Sequence, residues 1–194
     1  GILFRVIVGT NSYYEQAHDQ IIDVIQAYIH PNFDMRRLTG SHGLYAHDIA
    51  VLKLAKNVTL SEKVQPIQLV DRGTSFVGRT CVLTGYSISK QNNSKMSRLQ
   101  TIRLTVVSRR ACQQILNNTN LVHNEVYIRD LHVCAMDQGS VSCMGDSGSA
   151  LVCDEKAYGV YSFGDTSCAD DGQLPRVFMS IQWYLPFLQY VITL

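Results

Sequence analysis

A hydroxyl that could act as a nucleophile stands in the stretch Ser142-Cys143-Met144-Gly145-Asp146-Ser147-Gly148-Ser149-Ala150. Ser147 follows an acid and lies between Gly145 and Gly148, and an apolar run, Ala150-Leu151-Val152-Cys153, comes directly after. A serine hydroxyl is weakly nucleophilic at neutral pH and needs a base to take its proton. Six histidines could serve: His18, His30, His42, His47, His123 and His132. Gly-Asp-Ser-Gly by itself is equally a polar turn, so the surrounding elements must decide.

Those elements are mostly short apolar segments with turn residues between them. Residues 2–8, 21–29, 49–54, 81–84, 99–107, 150–153, 158–163 and 177–181 read as strands. Such a series is the pattern of an antiparallel barrel or sandwich. A short helix is expected over 108–117, capped by Ser108. A second is expected over 183–193, with Pro186 tolerated in its first turn. Residues 91–97 read as an exposed loop, and residues 65–73 as a connection between two halves.

The 194 residues are 46% hydrophobic and 17% charged, with a net charge of +1. That is globular composition. It gives no electrostatic basis for binding nucleic acid or an anionic membrane surface. No run reaches the ~18 apolar residues of a membrane span. The opening GILFRVIVG is too short for a signal peptide and lacks an initiator Met, so a mature chain or a fragment is expected. The six cysteines are widely spaced without a Cys-x-x-Cys pair, which argues against a zinc site. Their even number suggests three disulfides and an oxidising compartment. Sequons at Asn57, Asn92 and Asn117 agree with secretion.

Several stretches, in order along essentially the whole chain, resemble the chymotrypsin/trypsin-like serine proteases. Gly145-Asp146-Ser147-Gly148 matches the nucleophile motif. His47-Asp48-Ile49-Ala50-Val51-Leu52-Lys53-Leu54 is similar to the segment carrying the triad aspartate. Gln65-Pro66-Ile67-Gln68-Leu69 resembles the interdomain crossing, and Thr84-Gly85-Tyr86 a Gly-Trp-Gly turn with Tyr for Trp. Tyr161-Ser162-Phe163-Gly164 resembles the strand that pairs with substrate backbone. The resemblance implies an all-β fold of two antiparallel six-stranded Greek-key β-barrels with a short C-terminal helix. Residues 1–68 would form an incomplete N-terminal barrel, and residues 69–194 the C-terminal barrel with nucleophile and specificity pocket.

Roles follow from the matching positions. The resemblance makes Ser147 the nucleophile and Asp48 the acid that orients a catalytic histidine. Backbone N–H groups of Gly145 and Ser147 would form the oxyanion hole. Residues Ser162, Phe163 and Gly164 would hold substrate as an added strand. Asp146 would be the activation acid, which in the family pairs with a freed N-terminal ammonium. The implied disulfides are Cys81–Cys153, Cys112–Cys134 and Cys143–Cys168.

The family's histidine lies upstream of the triad acid, in an Ala-Ala-His-Cys-like segment. No His-Cys pair occurs in this chain, whose first cysteine is Cys81. His47 adjoins Asp48, so its side chain should point elsewhere. His30-Pro31-Asn32-Phe33 matches a structural stretch, and the remaining histidines match nothing catalytic. Arg5-Val6-Ile7-Val8-Gly9-Thr10 resembles the family's activation site. That reading leaves no room for the histidine segment before Asp48, so an inner strand of the first barrel is the better match. Aligning on Asp48 places the histidine at or before residue 1. The catalytic His is therefore expected to be absent, and the chain to be inactive without a missing N-terminal segment of the same domain.

The specificity pocket implied by the family has its base at Val141, next to Ser142. Val141 removes the charge that would select Lys or Arg. Arg176 stands where a glycine normally leaves the pocket open. A guanidinium there could pair bidentately with an acidic substrate side chain, or could block the pocket or snorkel to solvent. The expectation is a secreted, non-tryptic serine endopeptidase acting on polypeptide substrates, with acidic residues preferred. No cofactor or metal is expected, since residues 10–19 hold few carboxylates for calcium. The alternative is a non-catalytic homologue that binds proteins. It is disfavoured because Asp48, Gly145, Asp146 and Ser147 are all retained.

Overall fold

Strand-forming residues alternate with turns from one end of the chain to the other, and a computed structural model describes residues 4–12, 20–34, 46–86, 98–118, 127–137, 146–164 and 174–194. Strands β1 (Arg5–Val8), β2 (Gln20–Ile29) and β3 (Ala50–Leu54) form one antiparallel sheet in that order. Its large apolar residues are only partly covered. Ile22 and Ile49, just before β3, are buried, but Phe4, Ile7, Ile21, Ile25, Ile29 and Leu52 are all exposed.

The second unit comprises β4 (Gln68–Leu69), β5 (Thr80–Gly85), β6 (Gln100–Val107), β7 (His132–Asp137), β8 (Ala150–Cys153), β9 (Lys156–Phe163) and β10 (Arg176–Ser180). Strands run β10-β7-β6-β5-β8-β9, and β9 pairs back onto β10. Six antiparallel strands thus close a barrel, which removes free sheet edges. The two residues of β4 add a parallel pairing to the start of β9. Leu83, Leu104, Leu151 and Phe178 fill the interior with at most 1% of their surface exposed. Disulfide Cys81–Cys153 ties β5 to β8.

Helix α1 (Arg109–Asn117) starts where expected, and the Ser108 hydroxyl accepts from the Ala111 N–H. This satisfies one of the unpaired N–H groups of the first turn. Cys112–Cys134 fastens α1 to β7. Helix α2 (Ile181–Ile192) begins two residues earlier than expected, because Ser180, the last residue of β10, is itself the cap. Pro186 therefore lies beyond the first turn, as a proline inside the helix. It cannot donate the i→i−4 bond to the Gln182 carbonyl. Strand β7 was not expected from sequence, since His132-Val133-Cys134-Ala135-Met136-Asp137 has no clean alternation. Its first four residues are buried, which explains the lost period.

A cluster of rings joins the first sheet to α2. The imidazoles of His30 and His47 stack at 4.6 Å, 9° from parallel. His47 Nδ1 lies 3.1 Å from the Tyr184 hydroxyl, and Phe187 meets His30 edge-on at 4.8 Å. Burial lowers both histidine pKa values, and His30 and Arg129 lower that of His47 further.

Candidate active site

Ser147 is exposed at the tip of a tight turn preceding β8. The Ser149 N–H donates to the Asp146 carbonyl at 2.9 Å, which closes the turn. Gly148 has φ +87°, a conformation that L side chains rarely adopt, so glycine is required there by backbone geometry. Two bonds clamp the turn to β9. The Gly148 N–H donates to the Tyr161 carbonyl at 2.8 Å, and the Tyr161 N–H to the Ser149 carbonyl at 2.9 Å.

Asp146 is buried beneath this turn, with 2% of its surface exposed. Its carboxylate lies against Gly85. A Cβ at residue 85 would collide with Asp146 Oδ1 and come within 3.1 Å of Ser149 Oγ. Gly85 thus makes room for the acid that precedes the nucleophile candidate. Sequence reasoning noted Gly85 only as part of a family-like turn; its need for a bare Cα comes from a neighbour 61 residues away in sequence, by the positions of Gly85 and Asp146.

Asp48 reaches the same strand. Its Oδ2 accepts a 2.6 Å hydrogen bond from the Ser162 hydroxyl. The preceding residue explains how neighbouring side chains diverge. His47 has φ +61°, unusual for a non-glycine residue, and the Ile49 N–H turns back to the His47 carbonyl at 2.8 Å. This sends the His47 ring to Tyr184 while the Asp48 carboxylate goes to Ser162.

Ser162 is aimed by a bulge. Between β9 and β10, Phe163 pairs with Val177 and Tyr161 with Phe178, so Ser162 has no partner in the ladder. Such a bulge re-aims a side chain. Consecutive residues Tyr161 and Ser162 therefore hold the Ser147 turn and Asp48. Among the described residues no histidine bonds Asp48; His132 instead accepts from the Arg129 N–H and meets Phe163 edge-on.

Arg176 is buried, with 4% of its surface exposed. Its Nη2 lies 3.2 Å from Asp137 Oδ2, and both side chains are enclosed. Its Nε has no hydrogen-bond partner among the described residues. Of the alternatives left open by the sequence, snorkelling to solvent is ruled out. Gly164 permits close packing here, since a Cβ on it would lie 3.1 Å from Arg176 Cα and from the Pro175 carbonyl oxygen. Nothing in the sequence linked Asp137 to Arg176. Phe163 packs with Cys112, Cys134 and Val177. Val141, Ser142, Gly145, the Cys143–Cys168 pair, His18, His42 and His123 lie outside the described residues. Among the described residues, no group of three or more His, Cys, Asp or Glu side chains could hold a metal.

The chain matches the family described as Trypsin over residues 3–188. It is 31% identical to renal glandular kallikrein of Mastomys natalensis, covering 90% of this chain and 65% of that protein. It is 26% identical to Granzyme B(G,H) of Mus musculus, covering 97% of this chain and 71% of that protein. With Granzyme-like protein 2 of Rattus norvegicus the identity is 30%, over 95% and 68% of the respective chains. The chain thus spans between 65% and 71% of the length of these relatives. Its fold is similar to that of neuropsin, a serine protease of mouse brain, with TM-score 0.81 and 25% identity. That likeness covers 99% of this chain and 80% of the other.

Proposed function

The chain belongs to the trypsin family, and on that premise we propose that it forms the larger part of a secreted serine endopeptidase domain. The observation that carries this reading is the meeting of Asp48 and the Ser147 turn on consecutive residues of β9. In the proposed reaction Ser147 Oγ bonds to the scissile carbonyl carbon and its proton passes to a histidine oriented by Asp48. Backbone N–H groups of Gly145 and Ser147 stabilise the oxyanion. The C–N bond then breaks, the histidine returns its proton to the leaving amine, and water hydrolyses the acyl-enzyme. No histidine among the described residues bonds Asp48, and no His-Cys segment precedes Asp48 in the sequence, so on this proposal the 194 residues alone should not turn over. The base is assigned to an N-terminal segment of the same domain that carries a His. Two disulfides support secretion.

The pocket is proposed to be non-tryptic and to favour acidic residues. Arg176 supports this with a buried guanidinium whose Nε has no partner among the described residues. Asp137 partly neutralises that charge, so the preference should be moderate. The test is a chain extended with a His-bearing segment, assayed on peptides with Asp, Glu, Phe or Lys before the cut. Ser147-dependent cleavage, faster after Asp or Glu than after Lys, is expected. Faster cleavage after Lys would remove the pocket assignment, and cleavage that survives Ser147→Ala would remove the mechanism.

A further inference from the structure

A groove of about 820 Å³ lies on the barrel away from the candidate active site; none of Asp48, Ser147, Ser162 or Arg176 lines it. We infer that this groove, floored by Val106, Val133 and Tyr158 and rimmed by Arg72, Arg110 and Trp183, docks an acidic, aromatic-bearing peptide segment of a partner protein.

Charge is the first support. Three arginines line the groove against one carboxylate, Asp130. Arg109 holds Asp130 at 2.7 Å. Asp71, beside Arg72, is engaged by Lys156 at 2.6 Å. Arg72 and Arg110 are exposed and have no acidic partner among the described residues. A guanidinium pairs bidentately with a carboxylate, which gives direction as well as attraction. The chain's net charge of only +1 supplies no general field for anions, so any selection must be local.

The apolar lining is the second support. Trp183, the single tryptophan of the chain, is half exposed at the rim, and Val77, which also lines the groove, is 53% exposed. Exposed tryptophan and arginine lining one groove with an apolar floor is the composition of an energetic anchor at protein interfaces. A sulfated polysaccharide would need cations spread along a track and would gain little from this floor. A peptide carrying both carboxylates and aromatic rings satisfies both halves of the groove.

The groove is also preformed, which lowers the ordering cost of binding. Gln182 Nε2 donates to the carbonyls of Asp71 and Thr74, pinning the rim loop to α2. Tyr158 is fixed edge-on against Phe76, 5.0 Å between ring centres.

The test titrates an acetylated heptapeptide of alternating Asp or Glu and Phe into the 194-residue chain. Trp183 fluorescence reports binding and calorimetry checks it. Saturable binding with a Kd on the order of 10 μM is expected. Arg72→Glu with Arg110→Glu should weaken it at least tenfold, and the milder Arg72→Gln with Arg110→Gln should weaken it several-fold. Arg103→Glu, exposed on β6 outside the groove, should leave it within twofold. Equal binding of the Asn/Gln version of the peptide, or no loss in either double variant, would overturn the proposal. So would tighter binding of a sulfated heparin hexasaccharide than of the peptide at the same salt. Binding needs no turnover, so a negative result here leaves the protease reading untouched.

Discussion

Ser147 hangs from a ring of strands that closes on itself, whereas Asp48 precedes the last strand of a three-stranded sheet whose edges stay open among the described residues. The barrel buries Phe178, Leu104 and Leu151 completely; the sheet leaves Ile25 and Ile29 each 60% exposed. Barrel strands are also cross-linked by Cys81–Cys153, while the sheet carries no disulfide among the described residues. One half of the site thus rests on a well-filled scaffold. The other is held in place largely by what it touches on the barrel and α2: Ser162, Tyr184 and Phe187. Asp48 is positioned by docking more than by its own sheet.

If this contrast is right, the largest losses come from the barrel. Asp137→Asn leaves Arg176 as an uncompensated buried charge and should cost about 3–5 kcal/mol in urea unfolding. Phe178→Ala, which empties a fully buried site, should cost a similar ~3–5 kcal/mol. Gly85→Ala drives a Cβ into the Asp146 carboxylate and should cost about 1–3 kcal/mol. In the extended, active domain it should also lower kcat, because Asp146 precedes the nucleophile.

A smaller effect tests the docking of the first sheet. His30 and His47 both have pKa values below 6.5 in the folded chain, chiefly because burial disfavours their charged forms. Below 6.5 the unfolded chain binds more protons, so stability rises with pH in that window. The stabilisation is complete above about pH 6.5 and is lost as pH falls from there through the folded values. Thermal midpoints measured between about pH 7.5 and 5 should show this decline, and His47→Gln should flatten it. An unchanged slope in that variant would detach the histidine pair from the docking. Smallest of all, Ile25→Ala on the open sheet should change stability by under ~0.5 kcal/mol. A loss comparable to that of Phe178→Ala would show that the sheet is as well covered as the barrel.

Much of the scaffold is legible in the sequence because it is written locally. Ser108 announces α1, alternating apolar residues announce β2 and β6, and the ordered motifs around Asp48 and Ser147 announce the family. What stayed hidden depends on partners distant in the chain. The bulge at Ser162 exists only in the pairing of β9 with β10. Gly85 is needed because Asp146 lies over it, and Arg176 is paired with Asp137 across 39 residues. Strand β7 lost its alternation because both its faces are covered. The start of α2 moved because Ser180 serves at once as strand residue and cap, which left Pro186 inside the helix.

The central claim is that Ser147 is a nucleophile in place and that its base comes from outside the described residues. A fluorophosphonate reagent, followed by peptide mapping, tests it directly on the 194-residue chain and on the chain extended with a His-bearing N-terminal segment. One phosphonyl adduct is expected at Ser147 in the extended domain, none after Ser147→Ala, and labelling of the shorter chain slower by at least about a thousandfold, on the order of a triad lacking its base. Equal labelling rates for the two chains, or an adduct at another serine, would contradict it.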